Sequence, residues 1–83
     1  MNEVFLIGTI ITEVEFKFII NNKKNKSIAI FKIEVLDNQI LNVCAINELA
    51  DYVFANYNIN DRVFINGNLS SKYVSINYID YLG

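Results

Sequence analysis

Histidine, proline and tryptophan are absent from this chain, cysteine and arginine occur once each, and glycine occurs three times in 83 residues. Without histidine there is no Ser-His-Asp set and no imidazole metal site. One thiol, Cys44, makes neither an intrachain disulfide nor a cysteine cage. No carboxylate pair or glycine-rich phosphate loop supplies a reaction centre, so catalysis, cofactors, metals and a small-molecule substrate are not expected. No apolar run approaches the ~18 residues of a membrane span, and no cationic-then-apolar start marks a signal peptide. A cytoplasmic protein without a membrane partner is the expectation. Charge gives no pull toward a polyanion: seven cations against nine acids leave −2. The shortage of arginine and proline beside abundant Asn, Ile, Lys and Tyr has the pattern of an AT-rich coding sequence. Asparagine at a turn therefore carries little functional weight.

What remains is mostly apolar and strongly patterned. A hydrophobic content of 53% with no shift in composition predicts one folded domain, residues 1–83. In the first strand Val4, Leu6 and Ile10 share a face with Gly8. A glycine there predicts a sharp coil or a close backbone approach, as at a barrel corner. The other face, Phe5, Ile7, Thr9 and Ile11, is also largely apolar and needs a cover of its own. Alternation continues through 12–20, with Val14, Phe16 and Phe18 expected inward, and after a polar turn at 21–26 resumes at 27–35 and 40–46. The period then changes: Leu49, Ala50, Val53 and Tyr57 form one stripe of a short helix over 47–57, with Asn47 as its cap and Asn58 as its left-handed end. A hairpin, 62–69 and 73–81, closes the chain. We expect an all-β protein, a five-stranded OB-fold barrel with one short helix between strands three and four, because closure removes the exposed edges of a small sheet.

The first strand, Met1-Asn2-Glu3-Val4-Phe5-Leu6-Ile7-Gly8, resembles the start of bacterial single-stranded DNA-binding proteins. Further segments continue in register: Glu15-Phe16-Lys17-Phe18-Ile19, Ser27 to Ile33, Glu48-Leu49-Ala50-Asp51, and Asp61 to Leu69. Primosomal replication protein B is the nearest alternative relative. The resemblance implies a non-catalytic protein that lays single-stranded DNA across its sheet, in replication, repair or a mobile element. The departures are specific. One long arm of the family is reduced to Asp37-Asn38-Gln39 and another to the residues around Ser70–Lys72, and its aromatic positions flanking the third strand are Ile40 and Ile46 here. The family's acidic tail has no counterpart before Gly83. Each base–aromatic stack is worth roughly 1–3 kcal/mol, so binding per protomer is expected to be weak. The alternative is an OB module that has lost nucleic-acid binding and serves protein assembly.

The expected nucleic-acid contacts are Lys17, Lys23, Lys24, Lys26, Lys32, Ile40, Asn42, Ile46, Lys72 and Tyr73. Lys23, Lys24 and Lys26 read either as a phosphate-contacting loop or as a solvated turn, and Tyr73 as a stacking platform or a half-buried hairpin residue. By alternation the outward face of the sheet offers Lys17, Ile30, Lys32, Ile40, Asn42 and Ile46, a mixed apolar and cationic surface that suits a nucleic-acid platform or equally a protein interface, while Ala29, Phe31, Ile33 and Val35 share the other side of their strand. Cys44 shares the outward face of Asn42 and Ile46 and reads as an inert small hydrophobe. Tyr52, Phe54 and Tyr57 read as core and helix packing. Val4, Phe5, Ile7, Thr9 and Ile11 are the expected oligomer interface. A homodimer or homotetramer through the first strand would cover its second face, and the family resemblance points the same way. Cover by the helix or chain end of the same protomer is the alternative.

Overall fold

Period-two alternation gives six strands and the one period-3.6 stripe gives the helix. The computed structural model describes residues 2–20 and 24–83. The strands are β1 (Glu3–Ile10), β2 (Glu15–Ile20), β3 (Asn25–Glu34), β4 (Ile40–Ile46), β5 (Arg62–Leu69) and β6 (Val74–Tyr81), with α1 (Glu48–Asn56) after β4. The sheet runs β1-β5-β6-β4-β3-β2 and closes where β1 also pairs β3. The closed barrel thus has five strands, β1, β3, β4, β5 and β6, with α1 between the third and fourth in chain order: the OB-fold. The segment at 15–20 is the sixth strand, β2, which lies along β3 beyond the point where β1 leaves it.

Two of the five barrel seams are short. β1 meets β3 through Thr9–Glu34 and Ile10–Ile33, and β4 meets β6 in parallel through Val43–Val74 and Cys44–Ser75. The other ladders, β1–β5, β5–β6 and β3–β4, each span seven residue pairs. Gly8 sits at the β1–β3 seam, where a Cβ would stand 2.8 Å from the Glu34 carbonyl oxygen, so the close approach expected of this glycine is present. The core consists of Ile10, Phe31, Ile33, Val43, Val63, Ile65 and Val74 from the strands and Ala50, Val53 and Tyr57 from the helix. Full burial of each large side chain contributes about 1.5–3 kcal/mol.

Local expectations fail in four places. Phe18, expected inward, is exposed, because β2 is an edge strand and α1 reaches only as far as Phe16, which packs on Phe54 with ring centroids 5.0 Å apart. Tyr52 and Phe54 are half exposed rather than core; Tyr57 alone of the three is buried. Asn47 stands at the start of α1 with φ 59° but makes no side-chain cap; its carbonyl accepts Ser27 Oγ at 3.2 Å, tying the helix start to β3. The left-handed residue after α1 is Asn60 (φ 80°) rather than Asn58, because Asn60 N must turn to reach the Ile10 carbonyl at 2.8 Å. The reversal expected at 37–39 is a tight 3-10 turn over Leu36–Asn38, with Asp37 and Asn38 at positive φ.

Candidate nucleic-acid interface

On the outer face of β3 and β4, cross-strand neighbours are Ile28 with Ile46, Ile30 with Cys44, Lys32 with Asn42 and Glu34 with Ile40. β2 adds Lys17 beside Ile28 and Glu15 beside Ile30. The turn leading into β6 overhangs this face. Ser70 fixes that turn: its hydroxyl donates to the Tyr73 carbonyl at 2.8 Å, and its backbone N–H donates to the same oxygen at 2.9 Å. Lys72 and Tyr73 are thereby held over the sheet. The result is a cleft of about 340 Å³ with a floor of Ile28, Ile30, Cys44 and Ile46, polar Asn42 and Tyr73 on its walls, and the cations Lys26 and Lys72 at its rim. A smaller hollow of about 160 Å³ shares Asn42, Lys72 and Tyr73 and extends the cleft to Ile40.

This arrangement accepts flat apolar ring faces on isoleucine and tyrosine while ammonium groups meet an anionic backbone, the two requirements for holding a single strand. It offers no activated nucleophile. Burial pushes the Cys44 thiol up, with Ser75 and Lys26 opposing in part, so the thiol stays protonated at neutral pH.

Of the expected contacts, Lys26, Asn42, Ile46, Lys72 and Tyr73 meet in one cleft, and Ile40 lines its extension. Lys32 lies on the same face opposite Asn42. Lys17 is also on that face, exposed, with its ammonium 3.8 Å from Glu15. Lys24 is exposed in the turn and lines neither hollow, and Lys23 lies outside the described residues. Ile30, expected on the outward face, lies in the floor; Ile28 and Cys44, which form the rest of it with Ile46, were not among the expected contacts. Their signal was the alternation that puts them in phase with Asn42 and Ile46.

The barrel's opposite flank carries a second exposed surface. Phe5 and Ile7 of β1 are 66% and 53% exposed, so neither the helix nor the chain end covers them. Phe5 stacks on Phe64 at 6.2 Å, and Phe64 meets Tyr78 edge-on at 6.3 Å, making an aromatic row across β1, β5 and β6. Thr9 and Ile11 are half-buried, while Val4 is turned inward and packs on the core. Among the described residues no helix is long and apolar enough to cross a membrane.

Fold and cleft together define an OB barrel with an apolar, lysine-rimmed face. No protein-family model matches the chain, and no curated protein matches it by sequence. Solved structures do. The SSB domain of a Synechococcus sp. protein superposes with a TM-score of 0.84 at 18% identity, covering 95% of this chain and 93% of that one. A deletion variant of the single-stranded DNA-binding protein from Thermus aquaticus gives 0.87 at 17% identity, covering 100% of this chain and 42% of that one. The wild-type Thermus aquaticus protein gives 0.78 at 16%, covering 100% and 50%. The chain thus spans half or less of the Thermus proteins it matches. The fold is that of the SSB domains of bacterial single-stranded DNA-binding proteins.

Proposed function

We propose that this protein is a non-catalytic single-stranded DNA-binding protein of the bacterial cytoplasm, acting in replication or repair or for a mobile element. The observation that carries the reading is the cleft itself: Lys26, Lys72, Asn42 and Tyr73 converge over an isoleucine floor, on a barrel with the SSB-domain fold. Binding is modest per protomer. Two to four of the lysines on this face reach phosphates, which gives a single-strand salt slope of about −1.5 to −3. Fluorescence anisotropy of a labelled oligo-dT at low and moderate salt tests this. Saturable binding with that slope is expected, and Tyr73→Ala should weaken it by about 1–3 kcal/mol. Absence of binding at low salt overturns the reading.

The finer assembly belongs to the same proposal. β1 pairs β5 along its length and β3 only at Thr9 and Ile10, so among the described residues the second backbone edge of Glu3–Gly8 has no partner strand. A second copy joined at this edge would complete the ladder and cover Phe5 and Ile7, giving a homodimer that presents two clefts. The rival, a pure assembly module, is favoured by the same aromatic row and the acidic overall balance. It predicts association without oligonucleotide binding.

A further inference from the structure

The charges of this chain are segregated. Residues 16–33 hold five lysines and no acid, whereas the rest of the chain holds nine acids and two cations. The described part of that basic stretch is β2, the turn residue Lys24 and most of β3. Among the described residues its lysines make one ion pair, Lys17 with Glu15 at the base of the hairpin.

At the far end of α1 the opposite character collects. A hollow of about 360 Å³ is lined by Tyr52, Asn56, Tyr57, Asn58, Asp61 and Tyr81. The Tyr52 and Tyr57 rings meet edge-on at 6.0 Å, and Tyr81 is more than half exposed. Asp61 Oδ2 accepts the Asn58 N–H at 2.8 Å, which fixes the carboxylate beside the rings, and no ion pair to it occurs among the described residues. The helix ends here with no basic residue in its last turn, so the partial negative charge of its carbonyl end is uncompensated. Two exposed tyrosine rings, Tyr52 and Tyr81, a carboxylate and a helix C-terminus all favour one kind of guest, a cation. The Tyr57 phenol is pushed up to about 12, first by burial, then by Tyr52 and, less, by the Asp80 carboxylate.

We propose that this tyrosine-lined hollow is a binding site for an ammonium or guanidinium side chain, and that its occupant is a lysine of the β2–β3 hairpin of a second copy. Charge complementarity selects that occupant, since residues 16–33 of the hairpin concentrate five of the chain's seven cations and its acids, Glu15 and Glu34, stand only at its base. The contact is heterologous, hairpin to helix end, and so differs from symmetric pairing through β1. Repeated head to tail, such a contact extends a row of copies or closes a ring. It does not depend on the nucleic-acid reading.

Aromatic NMR of the intact protein, titrated with Nα-acetyl-lysine amide and with Nα-acetyl-glutamine amide as the neutral control, tests the pocket. Saturable shifts of the Tyr52, Tyr57 and Tyr81 rings are expected with the lysine probe alone. Asp61→Asn, which keeps the acceptor for Asn58, should weaken them at least tenfold. Equal responses to the two probes, or no effect of Asp61→Asn, overturn the site. Sedimentation velocity without DNA, in an Ile7→Lys background that removes β1 pairing, tests the occupant. Residual low-salt association should fall at least tenfold in Lys24→Glu/Lys26→Glu, while the probe still binds. Association unchanged by that reversal, or absent before it, overturns the second copy as the occupant.

Discussion

Gly67 shows how one missing side chain shapes a strand pair. It lies at the irregularity where β5 and β6 slip by one residue, and a Cβ there would collide with the Ser75 carbonyl oxygen and stand 2.8 Å from Val74 Cγ1. Gly8 faces a looser version of the same constraint at Glu34 and Val35. Urea unfolding should therefore show Gly67→Ala destabilised by about 1–3 kcal/mol, with Gly8→Ala losing less. Tyr57 sets a different limit. Its phenol titrates near 10.0 in an unfolded chain and at about 12 in the fold, so between those values the folded state retains a proton that the unfolded state has lost. Stability present below pH 10 must then decline as pH rises through this window. Tyr57→Phe should flatten the decline between pH 10 and 12 in chemical denaturation, whatever it does to stability at pH 7.

At the scale of elements, β1 joins an apolar outer face to an unpaired backbone edge among the described residues, as the edge strand β2 does with exposed Phe18 and Ile20. Leaving Phe5 and Ile7 in water forgoes roughly 1.5–3 kcal/mol for each. Sedimentation equilibrium should find wild type associated at tens of micromolar, and Phe5→Glu or Ile7→Lys monomeric or much weakened; a monomeric wild type removes β1 pairing. The sequence already showed much of this layer. The change from period two to 3.6 and back located α1 within a residue at each end, and alternation assigned the faces of β1, β3 and β4 correctly. Alternation could not show that β2 leaves the barrel, because a side chain's phase along a strand is local whereas what lies opposite Phe18 depends on how far α1 extends. Asn60 likewise took the left-handed position expected of Asn58 through a bond to Ile10, fifty residues earlier in the chain. The cleft was legible as a face but not as a volume, since its roof is the Ser70-pinned turn, which meets β4 only in the folded barrel.

For the molecule as a whole, the two short seams matter more than any single ladder. They divide the barrel into two leaves, β1-β5-β6 and β2-β3-β4, each held internally by long antiparallel ladders and to the other by two residue pairs at each join. The cleft straddles one of these joins. Lys26, Ile28, Ile30, Asn42 and Ile46 belong to one leaf, while Lys72 and Tyr73 sit at the entrance to the other. Its width is therefore set by the angle between leaves, much as the gutter of a book is set by how far the covers are spread. Opening that angle would break few backbone bonds at the spine but would part buried side chains that both leaves share, Val43 and Val74 among them. The gape of the groove is thus held by the glue between the pages more than by the stitching at the spine.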